Sequence, residues 1–118
     1  MPDDPLLVDP LLVERRAAAA RVAELETELA EIVTSAQASP PDDEHDVEGS
    51  SIGFERARVT ALLDHARRQL AALDRAETDQ AAGRYGSCED CGRPIGDERL
   101  AALPATRRCI ACATLRRG

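Results

Sequence analysis

Residues 88–112 read CEDCGRPIGDERLAALPATRRCIAC and hold all four cysteines of the chain. They fall in two Cys-x-x-Cys pairs, Cys88/Cys91 and Cys109/Cys112, with residues 92–108 between the pairs. Each pair has the spacing of a tight knuckle, a turn that brings two sulfurs to one side of a metal ion, and two knuckles complete a tetrahedron. Gly86 and Gly92 ease the turns around the first pair. The spacing therefore predicts one Zn2+ held by Cys88, Cys91, Cys109 and Cys112. A four-thiolate shell leaves no position open for water or substrate, so the metal is structural rather than catalytic. The segment is too short to fold on its own apolar surface, and metal binding then supplies its folding free energy, on the order of 10 kcal/mol. The rival chemistry for Cys-x-x-Cys is a dithiol redox pair, which belongs to a βαβ context that this sequence does not show.

Upstream of the cysteines the pattern is helical. Asp9-Pro10 is a helix start, with Asp as N-cap and Pro at the first helical position. Nothing breaks a helix from there to about Ala38, and Val22, Leu25, Leu29, Ile32 and Ala36 form a heptad seam. Ser39-Pro40-Pro41 stops it. The stretch PPDDEHDVEGSS, residues 40–51, reads as a turn rich in acids, with Ser50 or Ser51 as the cap of a second helix. That helix is predicted from about Ile52 to Ala82, with Ile52, Val59, Leu63, Ala66, Leu70 and Leu73 as its seam and Arg56 interrupting it. After Leu73 the seam weakens to Ala76 and Gln80, and Gly83 is placed as the C-cap. Phe54 is expected to pack near the turn, and His65 to lie on the surface. Two heptad helices joined by a short turn bury their seams on each other as an antiparallel hairpin, with arms about 40 Å long. The expected fold is all-α with a small zinc finger: an N-terminal arm over 1–9, a coiled-coil hairpin over 10–83 with its acidic tip at 40–50, and a four-cysteine module over 84–118. A short C-terminal helix is expected from about Ala105 to Arg116.

Composition supports a thin-cored, helical protein. Of 118 residues, 43% are apolar, but much of that is alanine, and there is one Phe, one Tyr and no Trp. Such a core needs a staple, which the cysteines provide. The net charge of −7 is uneven, about −10 over residues 1–83 and +3 over 84–118. Overall acidity argues against general binding of DNA or RNA, which depends on neutralising phosphates. All basic residues are Arg, which with the many alanines suggests a GC-rich bacterial source. No apolar run is long enough to span a membrane, and the acidic start MPDDPLLVDP is no secretory signal. The expectation is a cytoplasmic monomer. No nucleophile–base pair, phosphate loop or nucleotide fingerprint is present, so no enzyme activity is expected.

The order Cys88-Glu89-x-Cys91, Ile95, Arg99, Pro104, Cys109-x-x-Cys112, with GRYGSCEDCG around the first pair and Leu100 between the pairs, resembles the zinc-finger signature of the DksA/TraR family of bacterial transcription regulators. The resemblance covers residues 84–113 with high specificity, and the hairpin is similar in architecture. It implies that the chain binds RNA polymerase directly and not promoter DNA. It also implies that the hairpin enters the polymerase secondary channel, with its tip acting near the active centre. The family's tip motif, Asp-x-x-Asp-x-Ala, carries over to Asp43 and Asp46, while Glu48 stands where the family has alanine. Members that respond to the nucleotide ppGpp use basic residues at the hairpin base and just after the last cysteine. Here Ala113 follows Cys112 and Lys is absent, which argues against such a site, with Arg67, Arg68 and Arg116 as the residues that could still contribute to one.

Two other classes compete. The arginines 107, 108, 116 and 117 suit a zinc-dependent nucleic-acid-binding module, although Tyr85 is the sole aromatic nearby to stack on bases. The weak seam after Leu73 leaves room for a structural adaptor whose hairpin pairs with another coiled coil. The plain account of those arginines is a solvated face, or pairing with the acidic hairpin.

Overall fold

The structure is a computed structural model that describes residues 9–38 and 47–117, without the side chains of residues 47–50 and 117. The N-terminal arm up to residue 8 and most of the acidic tip, Asp43, His45 and Asp46 included, lie outside the described residues. Glu48 falls within a helix, and its side chain is likewise outside. The described elements are α1 (Pro10–Ala38), α2 (Val47–Ala81), α3 (Asp97–Ala102) and α4 (Ile110–Arg117). No named strand occurs among them, only an isolated antiparallel bridge between Ser87 and Pro94.

Helix α1 begins where its first two residues dictate. The Asp9 carboxylate accepts the Leu11 N–H at 3.0 Å, and the Asp9 carbonyl accepts the Val13 N–H at 3.1 Å. Asp9 is thus an N-cap that satisfies one of the orphan amides of the first turn, with Pro10 supplying the fixed φ of the next position. Helix α2 ends in a Schellman motif. Gly83, at φ 79°, donates its N–H to the Gln80 carbonyl, and Arg84 donates to the Asp79 carbonyl at 2.7 Å. A side chain at position 83 would strain that left-handed turn.

Helices α1 and α2 are an antiparallel pair. Among their ion pairs, Arg15 of α1 meets Asp74 and Glu77 of α2, Glu26 meets Arg67, and Glu28 meets Arg58. Positions rise along one helix as they fall along the other. By contact density the chain forms two compact units, one of residues 18–68 and one of residues 1–17 with 69–118.

In the 18–68 unit the predicted seam is the core. Leu25, Val59, Leu63 and Ala66 are buried, with Val22, Leu29, Ile32 and Leu62 packed against them. Each buried large aliphatic contributes about 2 kcal/mol. Arg56 is exposed, as expected for the seam's interruption. In the other unit Leu11, Leu73, Ala76, Cys88 and Ile95 are buried together with one charged residue, Asp79.

Four expectations are corrected. Helix α2 starts at Val47 rather than Ile52, so Gly49, Ser50 and Ser51 lie inside it. A single glycine costs a helix only about 1 kcal/mol, which is small against the run of helix formers after it. The C-terminal helix starts at Ile110 rather than Ala105, because the carbonyls before it are taken elsewhere. The Arg107 carbonyl accepts the Glu89 N–H, and the Arg108 carbonyl accepts from Arg99 and Thr106. Phe54, expected to pack, is 77% exposed. The buried position after Ala76 is Asp79, and Gln80 is exposed. His65 is exposed, as expected.

Candidate metal centre

The first knuckle grows out of a narrow β-like turn. Ile95 donates to the Gly86 carbonyl and Cys88 to the Arg93 carbonyl, both at 2.8 Å, and the Gly92 N–H closes the knuckle on the Cys88 carbonyl at 2.9 Å. Gly92 does this at φ 77°, a conformation that suits glycine. The second knuckle is built into a helix start. Cys109 immediately precedes α4, its carbonyl accepts the Ala113 N–H at 3.0 Å, and Cys112 sits in the first turn.

Two buttresses hold the loop between the knuckles. The Tyr85 hydroxyl donates to the Pro104 carbonyl at 2.9 Å, and the Arg99 guanidinium of α3 donates to the Arg108 carbonyl at 2.9 Å. Ile95, in the same loop, is buried. Burial raises the Tyr85 phenol above its ordinary pKa, with the Asp9 carboxylate adding to the effect.

These turns bring the sulfurs of Cys88, Cys91, Cys109 and Cys112 within 4.8 Å of one another. The Cys91 and Cys109 sulfurs are 3.8 Å apart, and no cysteine is in a disulfide. A regular tetrahedron with Zn–S bonds of about 2.3 Å has sulfur–sulfur edges of about 3.8 Å. The four residues therefore fit one structural zinc ion, and their closed shell offers no fifth position. The electrostatics favour a cation there. The Cys88 thiol is held down at about 6, first by the backbone N–H of Cys109 and, against the effect of burial, by those of Cys91 and Asp90. The Cys112 thiol is pushed up to about 12 by hydrogen bonds to the Cys109 and Cys88 sulfurs, by burial and by the charge on Cys109. Four sulfurs this close resist ionising together unless a positive charge sits among them.

Arginines and acids surround the cysteines. Arg108 meets Glu89 at 2.7 Å and Asp90 at 2.9 Å, and Arg116 meets Asp90 at 3.1 Å. Arg107 meets the buried Asp79 at 3.1 Å and Glu89 at 3.7 Å, and Arg84 meets Asp79 at 3.3 Å. The arginines 107, 108 and 116 are therefore in ion pairs rather than free to meet phosphates, and one of their partners, Asp79, belongs to α2. Sequence reasoning missed Asp79. Its signal was the three-residue step from Leu73 through Ala76, which lands on an acid. Helix α3 was missed too, although Asp97 and Glu98 in its first turn mark a helix start.

The family described as the prokaryotic dksA/traR C4-type zinc finger matches residues 83–116. The structure of transcription factor DksA2 from Pseudomonas aeruginosa superposes with a TM-score of 0.74 at 30% identity, covering 91% of this chain and 77% of that one. The chain belongs to the DksA/TraR family. An uncharacterised protein of Aquifex aeolicus (strain VF5) is 46% identical over 44 residues, which is 37% of this chain and 30% of that protein. The match thus spans under a third of that relative's length. The family's finger, the hairpin and the four-thiolate centre agree on the fold class read from the sequence. Among the described residues no helix is long and apolar enough to cross a membrane. The tip residues Asp43, Asp46 and Glu48 are not among the described side chains, and the centre carries no information about them.

Proposed function

We propose that this chain is a DksA/TraR-type transcription regulator that binds RNA polymerase through its secondary channel. The observation that carries the proposal is the joint match of finger and hairpin to a transcription factor over 91% of the chain. In this reading the arm spans 1–9, the hairpin 10–83 and the zinc finger 84–118. Asp43 and Asp46 act at the hairpin tip, with Glu48 as a more acidic third position. Carboxylates at the end of a paired helix suit a magnesium ion or a basic channel wall. Cys88, Cys91, Cys109 and Cys112 hold one zinc, which supplies a tetrahedral crosslink and no catalysis. The protein acts as a cytoplasmic monomer without enzymatic activity of its own. The pairing of Arg107, Arg108 and Arg116 with acids weighs against a nucleic-acid module.

The test is a titration against bacterial core RNA polymerase, with the wild type beside an Asp43→Asn/Asp46→Asn variant. Micromolar or tighter binding, displaced by a known secondary-channel factor, is the expected result. A zinc-loaded protein that fails to bind polymerase would sink the proposal.

A further inference from the structure

Of the three backbone amides that lower the Cys88 thiol's pKa, one belongs to a residue held by ion pairs and another directly follows such a residue. One is Asp90, inside the first knuckle. The other is Cys109, which comes directly after Arg107 and Arg108. The Asp90 carboxylate accepts from Arg108 Nε at 2.9 Å, from Arg116 Nε at 3.1 Å and from Arg116 Nη2 at 3.4 Å. Glu89 takes the remaining face of Arg108 and reaches Arg107, and its own N–H donates to the Arg107 carbonyl at 2.8 Å. One short acidic pair in the first knuckle thus grips cations on both sides of the second, at 107–108 before it and at 116 after it.

We propose that Asp90 is a positioning residue of the metal centre: through Arg108 and Arg116 it locks the first knuckle to the second. The inference rests on the zinc reading of the four cysteines. Separation of the two knuckles opens the four-thiolate shell, and that motion would break the bidentate Asp90–Arg116 contact and the Asp90–Arg108 contact together. Partners that orient metal ligands from outside the shell typically change metal affinity by about 10- to 100-fold.

The experiment loads full-length protein with zinc, measures metal content, and follows release to an excess of the chromogenic chelator 4-(2-pyridylazo)resorcinol. Wild type is compared with Asp90→Asn, Arg116→Gln, the double variant, and Arg93→Gln as a control that removes a charge outside these ion pairs. The expected result is release about 10-fold faster for Asp90→Asn and several-fold faster for Arg116→Gln. The double variant should match Asp90→Asn, and added salt should speed wild type toward it. If Asp90→Asn fails to load, Arg116→Gln carries the test, because the Arg116 side chain is 61% exposed and its loss threatens no core. Release within twofold of wild type for the loaded variants would overturn the inference. So would a control as fast as the variants, or single effects that multiply in the double. A wild type holding no zinc would overturn the metal reading itself, and this inference with it.

Discussion

Residues 18–68 and the unit built from residues 1–17 and 69–118 are stabilised by different physics. The first hides Leu25, Val59, Leu63 and Ala66 along a heptad seam, and its ion pairs, such as Glu26–Arg67, lie on the surface with side chains about half exposed. The second buries few large aliphatics and relies on four sulfurs, a buried carboxylate and backbone carbonyls bonded in particular directions. A seam tolerates exchange of one aliphatic for another, because dispersion and burial are not directional. A thiolate shell and a charge pair tolerate no such exchange. The two units should therefore fail under different insults.

The largest effect should come from the metal. Removing zinc with a chelator, or the Cys88→Ser substitution, should cost the cysteine module on the order of 10 kcal/mol of folding free energy. Backbone amide exchange at Cys88, Gly92 and Ile95 should then become fast, while the amides around Val59 and Leu63 stay protected. Loss of protection in both units at once would show that they are not separable. Because the thiols must lose protons to take up the metal, zinc retention should also fall as pH is lowered, and a competition assay across pH reads this directly.

Next in size is Leu63→Ala, which empties a buried seam position and should cost about 3 kcal/mol. Thermal melting followed by circular dichroism should show the loss, with zinc content unchanged. A variant that loses zinc as well would break the proposed division of labour. Asp79→Asn should cost about 2 kcal/mol, since it leaves Arg107 and Arg84 without their anion in a site where the Asp79 side chain is only 12% exposed. Its damage should appear in the tyrosine environment of Tyr85 and in amide exchange at Glu89, and not in the 18–68 seam. Smallest is Arg67→Gln, whose exposed pair with Glu26 should contribute less than about 0.5 kcal/mol. A melting temperature that fell as far as that of Leu63→Ala would mean that the surface ladder matters as much as the seam.

The same contrast explains what was legible in the sequence. The seam could be read because heptad spacing and aliphatic type are local properties, and Val59, Leu63 and Ala66 are buried as the periodicity predicts. Asp9-Pro10 and Gly83 fixed their helix ends for equally local reasons. The cysteine spacing announced the four-sulfur cluster. What the sequence did not disclose depends on partners far along the chain. Asp79 is buried because Arg107 comes to it, and the C-terminal helix starts late because Glu89 and Arg99 claim the carbonyls of Arg107 and Arg108. No property of residues 105–109 alone foretells that. Helix α2 reaches back to Val47 because a long helix extends through weak formers at little cost.

The ladder of ion pairs between α1 and α2 also fixes an order of events for the newly made chain. Glu28 and Arg58 are 30 residues apart, Glu26 and Arg67 are 41 apart, and Arg15 and Asp74 are 59 apart. Loop-closure entropy grows with that separation, by about 0.6 kcal/mol for each doubling. Contact between the helices should therefore begin among the pairs nearest the turn and zip toward Arg15. The cysteine module, whose Asp90–Arg116 and Asp79–Arg107 pairs span only 26 and 28 residues, can close independently of that zipper. Pulse-labelled exchange during refolding with zinc should protect Val59 and Cys88 early and the first turns of α1 last. The first turns of α1, made before α2, would be the last to find their place.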